Sequence, residues 1–261
     1  MKTLIKNELR LSEKVQIIWM AIMLILIGFC YFEFLSLKDS LDDMAKMMDG
    51  FPEILRIMFG VRGDLNTALG WYGCLYFWTG ILAFAYAMYL GITCVAKEKL
   101  RGTSEYLFTK PVRRSRIVLA KVIASAIHLA VFAAFTGVCS YWLLILPMGG
   151  LEESHGAIAA AVGLYLTQLV LFSVGVFLAG VVKHYPAAMK AGTAAVLIFY
   201  GTSFAAEYTG LAWMNDLTPL RYFDVYEVVS HGFRPGYLAL SAAVVLFCTA
   251  GAVKSWERRE M

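Results

Sequence analysis

Residues 71–96 read WYGCLYFWTGILAFAYAMYLGITCVA, 26 positions without Asp, Glu, Lys or Arg. A helix rises about 1.5 Å per residue and the hydrocarbon core of a bilayer is about 30 Å thick, so roughly 20 apolar residues suffice to cross it. A helix of this length that is apolar all round has no face to offer water. The stretch is read as a membrane span, and that reading decides the fold class. The same test, carried outward, finds Val15 to Phe32, Val122 to Pro147, Gly156 to Val182 and Pro235 to Val253, each free of the four charged residue types. A shorter run, Ala191 to Phe204, reads as a further span, with Lys190 snorkelling to the near interface and Glu207 marking the far one.

The expected fold is an all-α integral membrane protein of six transmembrane helices, forming one transmembrane domain over residues 1–261. The spans are expected at about 15–37, 70–96, 116–147, 156–183, 187–206 and 235–254. Composition agrees: 60% of residues are hydrophobic and 16% charged, against roughly 45–50% and 25% in soluble domains. Cys30, Cys74, Cys94, Cys139 and Cys248 all lie inside the apolar runs, and none belongs to a CxxC pair. They read as packing residues, not as a disulfide framework or a metal site.

Orientation follows from where the positive charges fall. Alternate loops carry 17 of the 23 Lys and Arg on one side, eight of them between the second and third spans. The other side holds Lys38, Lys46, Arg56, Arg62, Arg221 and Arg234. The side rich in Lys and Arg is cytoplasmic by the positive-inside rule, so both termini and the loop from Lys97 to Arg116 are expected in the cytosol.

Three polar segments lie between or beside the spans. Residues 2–14 set Leu4, Ile5, Leu9 and Leu11 among Lys6, Arg10 and Lys14, a basic amphipathic pattern that suits the inner membrane surface or simply anchors the topology. The outer segment 39–60 reads as two short helices divided by Gly50 and Pro52, with Leu41, Met44, Met47 and Met48 on one face. Thioethers can bind Cu(I), but without nearby His or Cys this face reads as packing. The second outer loop, 207–234, contains Leu217-Thr218-Pro219-Leu220-Arg221-Tyr222-Phe223, where Pro219 interrupts any continuous helix.

The segment richest in signal is cytosolic: KEKLRGTSEYLFTKPVRRSRIVLAK, from Lys97 to Lys121. If residues 97–109 are helical, Glu98, Arg101 and Glu105 share a face, and Pro111 ends the helix. Arg113, Arg114 and Arg116 stand beside the start of the next helix, where the macrodipole disfavours cations. Anionic head groups or an acidic docking surface would account for them; a solvated basic loop would carry the same charges.

The run of Glu98, Gly102-Thr103, Glu105, Pro111-Val112, Arg114 and Lys121 resembles the cytosolic loop of the type-two ABC-transporter permeases. The six-span layout, the amphipathic N-terminus, the outer helical segment and the Pro-Leu-Arg-Tyr-Phe stretch extend the resemblance over essentially the whole chain. It implies that 97–115 contains a coupling helix seated in a separate ABC ATPase subunit, with Glu98, Arg101, Gly102, Thr103, Glu105 and Pro111 at the contact. It also implies a permease subunit of an ATP-driven exporter, paired with a second permease copy or homologue in a prokaryotic plasma membrane. The chain has no GxxxxGK[ST] run, so it is not read as an enzyme: ATP and Mg2+ would be bound by the partner, with no cofactor in this chain and no nucleic acid.

Two other classes compete with it. An ion-coupled secondary transporter or channel needs ionisable groups deep in the membrane, and here only His128 and the uncharged Gln168 sit deep, with Glu33 near an outer end. These three are the candidate pathway residues. An intramembrane serine hydrolase is suggested by Gly201-Thr202-Ser203-Phe204-Ala205, a near miss to GxSxG. Such a nucleophile needs a base within hydrogen-bond reach, and His128 and His231 lie on other segments. On this topology, a membrane-impermeant thiol reagent added outside will label single cysteines introduced beside Asp43 and Glu153 but not beside Arg114. Labelling at Arg114 would overturn the orientation.

Overall fold

A computed structural model describes residues 1–62, 65, 67–100, 114–148, 154–182 and 184–257, and among them there are helices and no strands. The order is α1 (Lys2–Leu37), α2 (Leu41–Asp49), α3 (Glu53–Met58), α4 (Ala68–Leu100), α5 (Arg114–Ser140), α6 (Ser154–Val181), α7 (Tyr185–Thr209), α8 (Ala212–Asn215), α9 (Val225–His231) and α10 (Pro235–Glu257). Beyond α5 the chain loosens into a π-helical turn, Tyr141–Ile145, and then a 3-10 turn at Leu146–Met148. Five helical stretches are long and apolar enough to cross a membrane: Lys2–Ser40, Ala68–Cys94, Ser115–Ile145, Gly156–Val181 and Pro235–Trp256.

The sixth expected span corresponds to α7, which has 25 residues but is not among those five. Lys190, Glu207 and a scatter of Gly, Thr and Ser dilute its apolar content. At the N-terminus, residues 2–14 do not form a separate surface helix but run unbroken into the first span as part of α1. No Pro or Gly precedes Gly28 to interrupt it. In α2 the residues packed on the core are Leu41, Ala45 and Met48, which leaves Met47 exposed.

Helix α6 is the hub. It packs most extensively on α4, then on α10, and further on α5, α7 and α9. Contacts that rise together in number show α4 and α6 to be parallel: Tyr76 to Ala160, Ala83 to Gln168, and Gly91 to Gly175. At the last of these the two backbones touch. A Cβ at Gly91 would stand 2.3 Å from the Phe172 carbonyl oxygen, and one at Gly175 would stand 2.8 Å from the Met88 oxygen. Only glycine allows that approach, and close backbone contact is how helices gain packing where lipid removes the hydrophobic drive to associate.

On its other side α6 runs parallel to α10, where Gly180 meets Ala252 and Ser255 donates to the Gly180 carbonyl at 2.5 Å. Helix α7 is antiparallel to α4, from Gly192 against Met88 to Phe204 against Phe77. Helix α5 is antiparallel to α6 and parallel to α1, while α1 is antiparallel to α4 through Trp19 on Tyr86 and Phe34 on Trp71. The start of α1 and the end of α10 therefore lie at the same end of the bundle.

Gly175→Leu, which drives a side chain into backbone, is expected to cost about 3 kcal/mol or more and to shift the protein to aggregates in size-exclusion chromatography. Gly201→Ala, at a position with nothing within 4 Å of the added carbon, is expected to leave the profile unchanged.

Candidate functional site

The ion pairs among the described residues gather at two ends of the bundle. At the end carrying α2, α3, α8 and α9, four charged side chains form one cluster. The sequence steers Arg62 into it through a helix cap: after α3, Gly60 takes φ +76°, its N–H donates to Ile57 O at 3.0 Å, and the Val61 N–H donates to Arg56 O at 2.9 Å. This is the glycine-terminated Schellman arrangement. A side chain at Gly60 is doubly unfavourable, since its Cβ would also sit 2.7 Å from that of Phe77.

The turn aims Arg62 at Glu207, at the end of α7, with Nε to Oε1 2.6 Å, and at Asp224 just before α9. Arg221 reaches Glu207 at 3.4 Å and Asp224 at 3.7 Å, and donates to Asn215 Oδ1 at 3.3 Å. Asp224 also caps α9, accepting from the Tyr226 N–H at 3.0 Å. Tyr226 in turn lies over Gly73 of α4 and donates to the Gly70 carbonyl at 3.2 Å.

The four charges cancel, and their side chains are only 13–21% exposed. Burial pulls Arg221 below the ordinary guanidinium value, with Arg62 adding to the effect. Burial likewise pushes the Glu207 carboxyl above its ordinary value, although both arginines act against that shift. Pairing the two arginines with the two carboxylates offsets the desolvation cost of the cluster. The cluster ties the loop before α4 to the end of α7 and the start of α9. Beneath it lies a small cavity of about 50 Å3, walled by Tyr76, Phe77, Tyr200, Ser203 and Tyr226 among others. Ser203 opens into this space, and no histidine lines it.

At the opposite end, α1 and α5 are joined by polar links. Lys121 Nζ lies 2.8 Å from Glu8 Oε1. His128 Nε2 lies 3.2 Å from the Leu9 carbonyl, and since a carbonyl only accepts, that nitrogen carries the proton. Gln16 Nε2 donates back to the His128 carbonyl at 3.1 Å.

The residues singled out from sequence occupy separate environments. His128 faces α1. Gln168 is fully buried between α6 and α4, donating to the Ala83 carbonyl at 3.1 Å while its Oε1 has no hydrogen-bond partner among the described residues. Glu33 is exposed on α1. None of the three lines either of the two cavities described among these residues. The backbone of Glu98 lies in the last turn of α4; Arg101, Gly102, Thr103, Glu105 and Pro111 lie outside the described residues. Sequence reasoning missed the cluster because Arg62 is far in the chain from Glu207, Arg221 and Asp224. The Phe59-Gly60-Val61 cap, readable as a helix stop, was the available signal.

Fold and polar architecture together define a multi-pass helical membrane protein whose ion pairs, among the described residues, lie at its two ends. The sequence matches the profile described as ABC-2 family transporter protein over residues 3–236. The chain therefore belongs to the ABC-2 transporter family and is a permease of an ABC transporter, the membrane component and not the ATPase. Permeases of this family generally work with an ABC ATPase partner. No curated protein matches the chain at a significant level.

Arg62→Ala leaves two buried carboxylates facing Arg221 alone, and is expected to cost about 3 kcal/mol of stability, measured as a lower unfolding midpoint in detergent. The pair Arg62→Met with Glu207→Met leaves Arg221 and Asp224 balanced and is expected to recover most of that loss. Equal loss in the single and double variants would contradict the reading.

Proposed function

We propose that this chain is the membrane-spanning subunit of an ATP-driven exporter in a prokaryotic plasma membrane, working as a pair of permeases with two ATPase subunits. The observation that carries the reading is the family match over residues 3–236. Both termini are cytoplasmic in this scheme, which the positive-inside count and the shared position of the two chain ends support. A sixth crossing by α7 is supported by its antiparallel run along α4 from Met88 to Phe77.

Segment 97–115 is the coupling element, with Glu98, Arg101, Gly102, Thr103, Glu105 and Pro111 at the ATPase. It lies between the end of α4 and the start of α5, so force applied there enters two helices of the core directly. ATP binding and hydrolysis take place on the partner, which also holds the Mg2+. Binding can drive transport only by favouring one arrangement of the spans over another. The outer cluster around Arg62 is suited to hold the arrangement that is closed to the outside.

Reversing Glu98 and Glu105 to Lys is expected to reduce co-purification of the ATPase at least tenfold, while membrane insertion and the chromatographic profile stay unchanged. Undiminished co-purification would refute the coupling role of these residues.

A further inference from the structure

Lys121 and His128 lie two helical turns apart on one face of α5, and both are nearly buried, 5% and 6% exposed. Both reach α1: Lys121 through the ion pair to Glu8, His128 through the Leu9 carbonyl, with Gln16 returning a hydrogen bond to the His128 carbonyl. The other flank of α5 is different in kind. It meets α6 where Gly137 abuts Ala161, beside a lateral groove of about 610 Å3 whose walls include Ala130, Ala134, Tyr141, Trp142, Ile158 and Val162. The side-chain hydrogen bond described there is Tyr165 to the Ala126 carbonyl, at 3.5 Å. Contacts of α1 and α5 with α4 are aromatic: Trp19 on Tyr86 and Tyr86 on Phe132.

In a bilayer, apolar side chains are as well accommodated by lipid as by another helix, so close packing and directional polar links together decide which helices stay together. Among the described residues, helix α5 is thus tied to α1 by three side-chain polar links and to α6 by one, beside an open groove. We propose that Lys121 is a positioning residue that locks α1 to α5, so that the two helices move as one body when the ATPase displaces the segment before α5. Helix α1, which is not adjacent to that segment in the chain, then becomes an output of the coupling. The proposal rests on the reading that residues 97–115 dock on an ATPase.

The test uses the permease purified with its ATPase, carrying spin-label pairs at exposed positions in a background without native cysteines. One pair is Ile18 with Ile127, across α1 and α5, and the other is Ile127 with Val162, across α5 and α6. Labelled chain is diluted with unlabelled chain to suppress pairs between copies. Between the nucleotide-free and ATP-vanadate states, the first distance is expected to stay fixed and the second to shift. In Lys121→Ala the first distance is expected to shift as well, with ATPase association and hydrolysis retained. The exchange Glu8→Lys with Lys121→Glu should restore wild-type behaviour. A wild-type α1–α5 distance that changes with nucleotide, an α5–α6 distance that does not, or a Lys121→Ala chain that behaves as wild type would overturn the clamp; the wild-type distances decide even if that variant fails to fold. Absence of any ATPase from the preparation would instead overturn the docking reading, and the clamp with it.

Discussion

Everything in this bundle is placed by the contact between α4 and α6 at Gly91 and Gly175. Backbone meets backbone there, so the two helices are held at a separation that no larger residue permits. With that axis fixed, α10 lies along the far side of α6 through Gly180 and Ala252, and α7 lies against α4 through Gly192. The shared physical reason is the solvent. Lipid offers the helices no hydrophobic reward for association, so shape and a few polar links must provide it. Gln168, donating to the Ala83 carbonyl from the middle of the same interface, is one such link.

Ionic interactions are kept to the ends, where they fasten segments that packing alone would leave free. The Arg62, Glu207, Arg221 and Asp224 cluster connects the loop before α4 with the end of α7 and the start of α9, and Glu8 with Lys121 connects α1 with α5. Buried ion pairs gain little net stability because desolvation offsets their attraction. In this structure they specify which segments meet.

Much of this was legible in the chain itself. Charge-free runs such as 71–96 and 156–182 define helices because lipid demands internally satisfied backbone and leaves little alternative. The family was legible because Glu98, Gly102, Thr103, Glu105 and Pro111 stand close together in sequence. What could not be read depends on tertiary contact. Arg62 is 145 residues from Glu207, and Glu207 taken alone looked like an interface marker. The unbroken course of α1 was also missed, since the basic amphipathic pattern of residues 2–14 fits a helix on the membrane surface as well as one packed along α5. For the expected pathway residues the structure adds environment: His128 and Gln168 each serve a helix contact.

The central claim is that this permease draws its energy from a separate ATPase held at the end of α4 and the start of α5. Native mass spectrometry of the chain, released from membranes in mild detergent, tests it most directly. The account predicts an assembly containing this chain and a P-loop ATPase in equal numbers, with ATP hydrolysis confined to preparations that retain the second protein. A well-folded chain that repeatedly emerges without an ATPase would contradict it.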